Sequence, residues 1–318
     1  MSVPPSCPTL VTHSGKFHCD EVFGYVVICL ALGLKHPGTD HVLLRTRKPE
    51  LIEAGDIVFD VGGCFDPQTQ RFDHHQIGAP QRVDGTPYSA AGLLWQVHGE
   101  GAVAALLSSE DAARFGAKIA AELDVKLVKR IDEIDNGVSV TGPVQYNSLD
   151  LASLVGDFNP SWDDPAANGP CAGDAAFLQA AALAHQVLRL KVEALRARFH
   201  ADSLVLAAYA AAEDKRLLVL NTGMPWKNVA FAHAMPLLFC VSPASNGNWM
   251  IDTMPPEPGS FAQRLPFPEA WAGLQGEALA SVCGVEDAVF VHVRRFVGAA
   301  RTREGAITMA RNILELSA

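Results

Sequence analysis

The sequence predicts an α/β fold, with an N-terminal parallel-sheet domain and a smaller C-terminal domain of mixed α+β type. Three observations predict it. Near the N-terminus, short apolar runs alternate with a long one. Residues 8–12, 41–46 and 56–61 read as strands and 22–34 as a buried helix, and such β-α-β alternation requires a parallel sheet. Beyond residue 216 the pattern changes to strand-like runs at 217–220, 237–241, 248–253 and 288–293, and Asn246-Gly247 marks a hairpin between the second and third. Between the halves, 159–170 carries three prolines among Gly, Asn and Asp, a composition that breaks regular structure. The boundary is placed there, giving domains of 1–165 and 166–318.

Each element has its own reason. Asp20 and Glu21 open the first helix, where carboxylates suit the positive end of the dipole, and Lys35-His36-Pro37-Gly38 stops it. The third strand ends on Asp60, and Gly62-Gly63 turns the chain sharply. A second helix, 87–97, has proline at its start. A long helix over 110–132 closes near Asp135-Asn136-Gly137, read as a polar turn. Residues 174–199 form an amphipathic linker helix with Leu188, Val192, Leu195 and Phe199 as its apolar stripe. Helices over 275–282 and 302–316 complete the second domain.

Composition excludes several classes. With 49% hydrophobic and 19% charged residues, the chain is globular and not disordered. A net charge of −10 opposes tight binding to long nucleic acid. A short anionic substrate stays open, because carboxylates that hold cations count in that sum. Seven scattered cysteines with no Cys-x-x-Cys point to a reducing compartment. No signal or transit pattern is seen at the N-terminus, so a cytoplasmic location is expected. The longest apolar run, Val22 to Leu34, is too short to cross a bilayer, so no membrane partner is expected.

The chemistry-bearing residues fall where a parallel sheet gathers ligands, outside the carboxyl ends of its strands. His13 follows the first strand, and His18 and Asp20 stand at the mouth of the first helix. Asp60 ends the third strand, Asp73-His74-His75 follow a turn later, and Asp135 comes from a fourth segment. Mixed imidazole and carboxylate ligands suit Mn²⁺, Zn²⁺ or Fe²⁺ better than Ca²⁺. The candidates outnumber the needs of one ion. Two divalent ions sharing a carboxylate fit them, and two-metal sites favour phosphoryl transfer to water. Singly, His13 and His18 also read as a polar helix cap, and Cys19 and Cys64 as small buried residues. No His-Glu-x-x-His, phosphate-binding loop or Gly-x-Ser-x-Gly is present. Arg294, Arg295, Arg301 and Arg303 cluster before the last helix. They read either as a solvated turn or as a phosphate clamp with Arg301 and Arg303 at the helix mouth, and Lys227 and Arg264 are further candidates for that clamp.

Asp73-His74-His75 with Asp60 and Asp135 resembles the DHH phosphoesterase superfamily. A closer resemblance is to the MYG exonuclease family, also described as metal-dependent protein hydrolases. Its hallmarks stand here as Thr-His-Ser-Gly-Lys-Phe-His-Cys-Asp-Glu at 12–21, Asp-Val-Gly-Gly at 60–63 and Arg-Phe-Asp-His-His-Gln at 71–76. Further matches are Ser-Ala-Ala-Gly-Leu at 89–93, Asp-Asn-Gly at 135–137, Pro-Trp-Lys at 225–227, Gln-Arg-Leu-Pro at 263–266 and Arg-Thr-Arg-Glu-Gly-Ala at 301–306.

The resemblance implies a DHH-type N-terminal domain and a C-terminal domain that grips the substrate. It implies His13, His18 and Asp60 as ligands of one metal and Asp20, Asp60, His74 and Asp135 as ligands of the other, with Asp60 bridging. It makes His75 a contact to the substrate phosphate and Asp73 the group that orients a histidine. The wider superfamily usually has a carboxylate where this chain has His18. The function expected is a metal-dependent phosphodiesterase, a 3′-to-5′ exonuclease on short single-stranded RNA, working with two Mn²⁺ ions or with Mg²⁺ or Zn²⁺. Its rivals are a hydrolase of another small phosphodiester or phosphate compound, a peptide hydrolase and a non-catalytic metal-binding module. The oligomeric state stays open.

Overall fold

The computed structural model describes residues 7–138, 150–164, 167 and 172–317. The chain divides into two compact units, Met1–Arg196 and Ala197–Ala318, and is mixed α/β with one five-stranded sheet in each unit.

The first unit is built on β1 (Thr9–Thr12), α1 (Cys19–Leu32), β2 (Val42–Arg45), α2 (Pro49–Glu53), β3 (Ile57–Phe59), β4 (Phe65–Asp66) and β5 (Arg71–Phe72). The strand order is β2-β1-β3-β5-β4. β1 pairs in parallel with β2 and β3, and β3 pairs in parallel with β5. Only β4 runs antiparallel, against β5. The two-residue strands β4 and β5 were not anticipated, because two residues are too few to show a period. Leu10, Val11, Val58, Phe59 and Phe72 are fully buried. Burying each such side chain stabilises the fold by roughly 1.5–3 kcal/mol. α1 is buried over its first ten residues, Cys19 to Ile28, which explains why it is apolar all round.

Three further helices close the unit around the site. They are α3 (Ala90–Ala105), α4 (Ser109–Leu123) and α5 (Lys129–Asp135), the last two joined without a break by a π-helical turn at Asp124–Val128. α3 packs closely on α1 and α5 because glycines face its neighbours. A Cβ on Gly24 would lie 2.6 Å from Leu94 Cδ1, and one on Gly92 would lie 2.5 Å from both carboxylate oxygens of Asp132. That Asp132 carboxylate is buried and accepts from the Ser89 N–H (3.0 Å), Ser89 Oγ (2.8 Å) and Arg82 Nε (2.8 Å). Arg82 also grips Asp124 through both terminal nitrogens. This network pins α5 to the start of α3. Asp135 is therefore the last residue of a helix and not part of a polar turn as the sequence suggested. Asn136 caps the helix, and Gly137 takes the left-handed φ of +66° just beyond.

α6 (Leu151–Gly156) and α7 (Asp174–Ala211) follow. The sequence reading put a boundary at 165, whereas the division between compact units falls at Arg196, inside α7. Described residues on both sides of 165 are tied to the first unit. Asn159 accepts from the Phe17 N–H (2.9 Å) and donates to the Phe17 carbonyl (2.8 Å), and Phe177 packs edge-on against Phe17 at 5.5 Å. Of the predicted stripe on α7, Leu188 and Val192 are buried, while Leu195 and Phe199 are half-buried.

The second unit contains β6 (Leu217–Val219), α8 (Lys227–Ala232), β7 (Phe239–Pro243), β8 (Trp249–Thr253), α9 (Gly276–Cys283), β9 (Ala288–Val291), β10 (Val297–Ala300) and α10 (Arg303–Leu316). Its sheet, in the order β6-β7-β8-β10-β9, is mixed, with β6 and β7 parallel and the rest antiparallel. Phe239, Val241, Ile251, Phe267, Met309 and Ile313 belong to one core cluster. β10 was missed from sequence. It reads Val-Gly-Ala-Ala, with little β propensity. Gly298 is needed there because a Cβ would meet the Phe267 ring at 2.9 Å. Four residues of strand, about 13 Å, now separate Arg294 and Arg295 from Arg301 and Arg303, so the four arginines do not form one cluster. Among the described residues, no helix is long and apolar enough to cross a membrane.

Candidate metal centre

Local sequence aims the ligands. Leaving β3, Asp60 takes a left-handed φ of +56°, uncommon for a residue with a side chain but tolerated best by Asn and Asp. Gly62 and Gly63, at φ +100° and +63°, carry the chain through the following turn. Such strain at a buried carboxylate marks a place where side-chain direction matters more than local comfort. Across the sheet, the loop after β1 presents His13, and the first turn of α1 presents His18, Asp20 and Glu21. β5 leads directly into Asp73, His74 and His75.

His13 and Asp60 form the centre of the arrangement. His13 Nε2 lies 2.9 Å from Glu21 Oε1 and 3.2 Å from Asp60 Oδ2. Its Nδ1 lies 3.2 Å from the Ser14 carbonyl, which can only accept, so Nδ1 carries the proton. Nε2 then turns a lone pair toward two carboxylates. That is tenable only with a cation between them, either a proton or a metal ion. With a proton there, burial depresses the imidazolium but the bonds to Asp60 and Glu21 outweigh it, raising the His13 pKa to about 10.

His74 repeats the pattern. Its Nε2 lies 3.3 Å from Asp60 Oδ1, 3.4 Å from Asp135 Oδ2 and 3.9 Å from Asp20 Oδ2. Burial lowers its pKa, but Asp60 and Asp135 raise it further, for a net upward shift. Asp60 thus stands between the two histidines. Burial pushes its carboxyl up, and the bonds from His13 and His74 more than reverse this, holding it at about 2. Asp20 is pushed well above the usual carboxylate range by burial and by the charges of Asp60 and Asp135. Asp135 is raised as well, chiefly by burial.

The buried Asp20 Oδ1 has no hydrogen-bond partner, and Asp60 Oδ1 faces only the ring nitrogens of His74 and His75, at 3.3 and 3.7 Å. An unpaired buried carboxylate oxygen is costly, so it points to a cation ligand. Ligand atoms of His13, His18, Glu21 and Asp60 lie close enough to hold one ion, as do those of His18, Asp20 and Asp135, and those of Asp60, Asp73, His74 and His75. The residues fit divalent metal, and the donor set of imidazole and carboxylate is that of Mn²⁺, Zn²⁺ or Fe²⁺.

Asp73 and His75 differ from the rest. Asp73 is buried and fully engaged. Its Oδ1 accepts from the His74 N–H (2.8 Å), the His75 N–H (3.3 Å) and His75 Nδ1 (2.6 Å), and its Oδ2 accepts from the Gly63 N–H (2.5 Å). His75 is exposed on the rim, so its other nitrogen is free to face a ligand. A cavity of about 600 Å³ opens here, lined by His13, Asp60, His74, His75, Asp135 and Arg47.

A model of an uncharacterised protein family, UPF0160 (MYG1_exonuc), matches residues 9–314. The chain belongs to this family. The MYG1 protein of Caenorhabditis elegans is 34% identical over 96% of this chain and 94% of its own length. The protein named MYG1 exonuclease in Homo sapiens is 32% identical over 96% of this chain and 86% of its own length. The MYG1 protein of Dictyostelium discoideum is 28% identical over 97% of both. No solved structure matches at a significant level.

In this MYG1-family chain the cluster joins His13, His18, Asp20, Asp60, His74 and Asp135, with Asp73 and His75 at its edge. It also holds Glu21, which the sequence reading treated only as a helix-dipole residue. Glu21 is fully buried and accepts from the His18 N–H with both oxygens, at 3.0 and 2.9 Å, while it faces His13. The sequence signal for it was a capping-box spacing, which says nothing of ligation. Arg47 and Asn136 on the cavity wall were also missed.

The remaining candidates lie in the second unit. Arg264 Nη1 donates to the carbonyls of Met235 (2.7 Å) and Leu237 (3.1 Å). Arg303 lies 3.7 Å from Glu304 and over the Trp249 ring. Lys227 lies over the Trp226 ring. The N-terminus of α10 already has an anion. Asp287 Oδ2 accepts from the Thr302 N–H at 2.8 Å and from the Thr302 hydroxyl at 2.5 Å.

Proposed function

We propose that the chain is a metal-dependent phosphodiesterase of DHH type, an exonuclease that works from the 3′ end of single-stranded RNA in the cytoplasm. The observation that carries this reading is the pair of histidines, His13 and His74, whose Nε2 atoms converge on Asp60 while a buried carboxylate oxygen of Asp20 stands unpaired. The name exonuclease borne by the human relative, and by the one from Mus musculus, supports nuclease chemistry. The six cysteines among the described residues are free thiols, which suits a reducing compartment.

His13, His18, Glu21, Asp20, Asp60, His74 and Asp135 would hold divalent ions, with Asp60 shared and Mn²⁺ the preferred metal. Bound metal would lower the pKa of a coordinated water and screen charge on phosphoryl oxygens. The chain does the rest. Asp73 accepts the Nδ1 proton of His75, fixes its tautomer and leaves Nε2 toward the cavity. His75 Nε2 then binds the scissile phosphate and strengthens that contact as charge grows in the transition state. In the second unit, Lys227, Arg264, Arg301 and Arg303 are proposed as substrate contacts. Arg301 is the strongest of them, since Arg264 and Arg303 are engaged within the protein.

The test is metal analysis followed by product mapping. Protein stripped with a chelator and reloaded with Mn²⁺ should bind two ions per chain and release nucleoside 5′-monophosphates from the 3′ end of a 5′-labelled RNA. A metal-loaded protein inert on RNA and on simple phosphodiesters, or one that cleaves peptides instead, would overturn the proposal.

A further inference from the structure

The metal cavity is the first of three that adjoin within the first unit. The second, about 420 Å³, shares His18 and Asp135 with it and is lined by Lys16, Arg130, Ile131 and Ile134. The third, about 570 Å³, shares Lys16 and Gly156 with the second and is lined by Trp162 and Asn159. The three therefore run in sequence away from the candidate ligands. Their walls change in character along the way. The metal cavity is carboxylate-rich. The second cavity combines two cations with an apolar wall, a lining that suits a sugar and base beside a phosphate. The third carries Trp162 with 91% of its surface exposed, an unusual state for the most costly side chain to leave in water.

The cations are available. Lys16 has no hydrogen-bond or ion-pair partner among the described residues, and Arg130 makes only a long 3.5 Å contact with Glu133. The carboxylates on these walls are Asp135, which belongs to the metal cluster, Asp150 and Asp157. Asp150 is already occupied in capping α6, where it accepts from the Ser153 N–H at 2.8 Å. A groove that pairs backbone-tracking cations with an exposed aromatic ring is the common design for single-stranded nucleic acid.

We propose that these three cavities form one track for a single-stranded oligonucleotide, with Lys16 and Arg130 at the phosphate next to the scissile one and Trp162 stacking a base farther out. The track rests on the phosphodiesterase reading. It deepens that reading by naming the residues that would hold the nucleotides beyond the scissile phosphate.

The experiment compares the wild-type chain with Trp162→Ala and with the double variant Lys16→Gln/Arg130→Gln. One substrate is an RNA pentanucleotide, which would fill the track. The other is bis(p-nitrophenyl) phosphate, which reaches only the metal cavity. The ratio of kcat/KM for RNA over that for the small diester should fall at least fivefold in Trp162→Ala, the low end for one lost stacked base. It should fall at least tenfold in the double variant, and Lys16→Arg should keep it. Pentanucleotide binding is also measured with metal chelated, so that no turnover is needed. There the slope of log affinity against log salt should become shallower by about 1.4 in the double variant, for two lost phosphate contacts on a single strand. An unchanged ratio and salt slope, or equal losses on both substrates, would overturn the track. A wild-type chain that cleaves neither substrate overturns the phosphodiesterase reading instead, and the salt slope then decides the track by itself.

Discussion

Replacing Asp73 by Asn should loosen the turn that carries the histidine pair, by an amount that can be worked from its hydrogen bonds. Asp73 accepts four: three at Oδ1, from the backbone N–H groups of His74 and His75 and from His75 Nδ1, and one at Oδ2, from Gly63. Asparagine has the same shape but only one acceptor oxygen. With its NH₂ on the Oδ1 side, three donors would face a donor. With its NH₂ on the Oδ2 side, only Gly63 is left facing a donor, so this orientation wins. The orphaned N–H costs about 1–3 kcal/mol, and three charged bonds become neutral ones at about 1 kcal/mol each. The local loss is therefore about 4–6 kcal/mol, and half of that still corresponds to roughly a hundredfold in an equilibrium constant. Hydrogen exchange read by mass spectrometry on metal-free protein should show amides in 60–76 exchanging at least ~10²-fold faster, with those of β1 unchanged. Turnover should fall by ~10²–10⁴-fold, because His75 loses the carboxylate that fixes its tautomer. Exchange and turnover both at wild-type values would refute the role given to Asp73.

Three further outcomes are expected. Asp60→Asn removes the charge facing both His13 and His74, so bound metal counted by elemental analysis should fall toward none or one ion, with activity lost; full metal content would remove its shared role. In metal-free protein, the His13 pKa of about 10 lies above its ordinary 6.5, so the stability it contributes is complete below pH 6.5 and is lost as pH rises toward 10. Asp60, held near 2, contributes above 3.8 and loses this only as pH falls through 2, outside that window. Melting of chelated protein should thus drop between pH 6.5 and 10, and added Mn²⁺ should stabilise more at pH 9 than at pH 6; a pH-independent metal effect would contradict the proton that His13 shares with its carboxylates. Gly92→Ala places a Cβ 2.5 Å from the Asp132 carboxylate and should cost about 1–3 kcal/mol by overpacking, visible as a lower melting temperature; an unchanged melt would mean that α3 and α5 pack more loosely than described.

Much of this protein was legible in its sequence. Apolar runs gave β1, α1, β2 and β3 and their parallel order, because a strand or helix that buries one side must repeat apolar residues along its length. The candidate ligands also stood out, since His and Asp at strand ends have few other reasons to gather. Their number and spacing along the chain could not give distances. Glu21 shows why: its place between His18 and His13 depends on the turn of α1 against the loop after β1, and the capping spacing alone described a helix start. β10 was lost for a similar reason. Its Val-Gly-Ala-Ala gains strand structure from pairing with β8 and β9, and its glycine is set by the Phe267 ring packed on it. Asp135 became the end of a helix because Asp132, one turn earlier, is anchored to Ser89 and Arg82, residues over forty positions away. Periodicity and residue type are properties of neighbours in the chain, so the sequence alone determined the elements and the chemical character of the site. Which nitrogen faces which carboxylate, and which buried oxygen stays unpaired, are set by contacts between distant segments, and only the tertiary structure decided them.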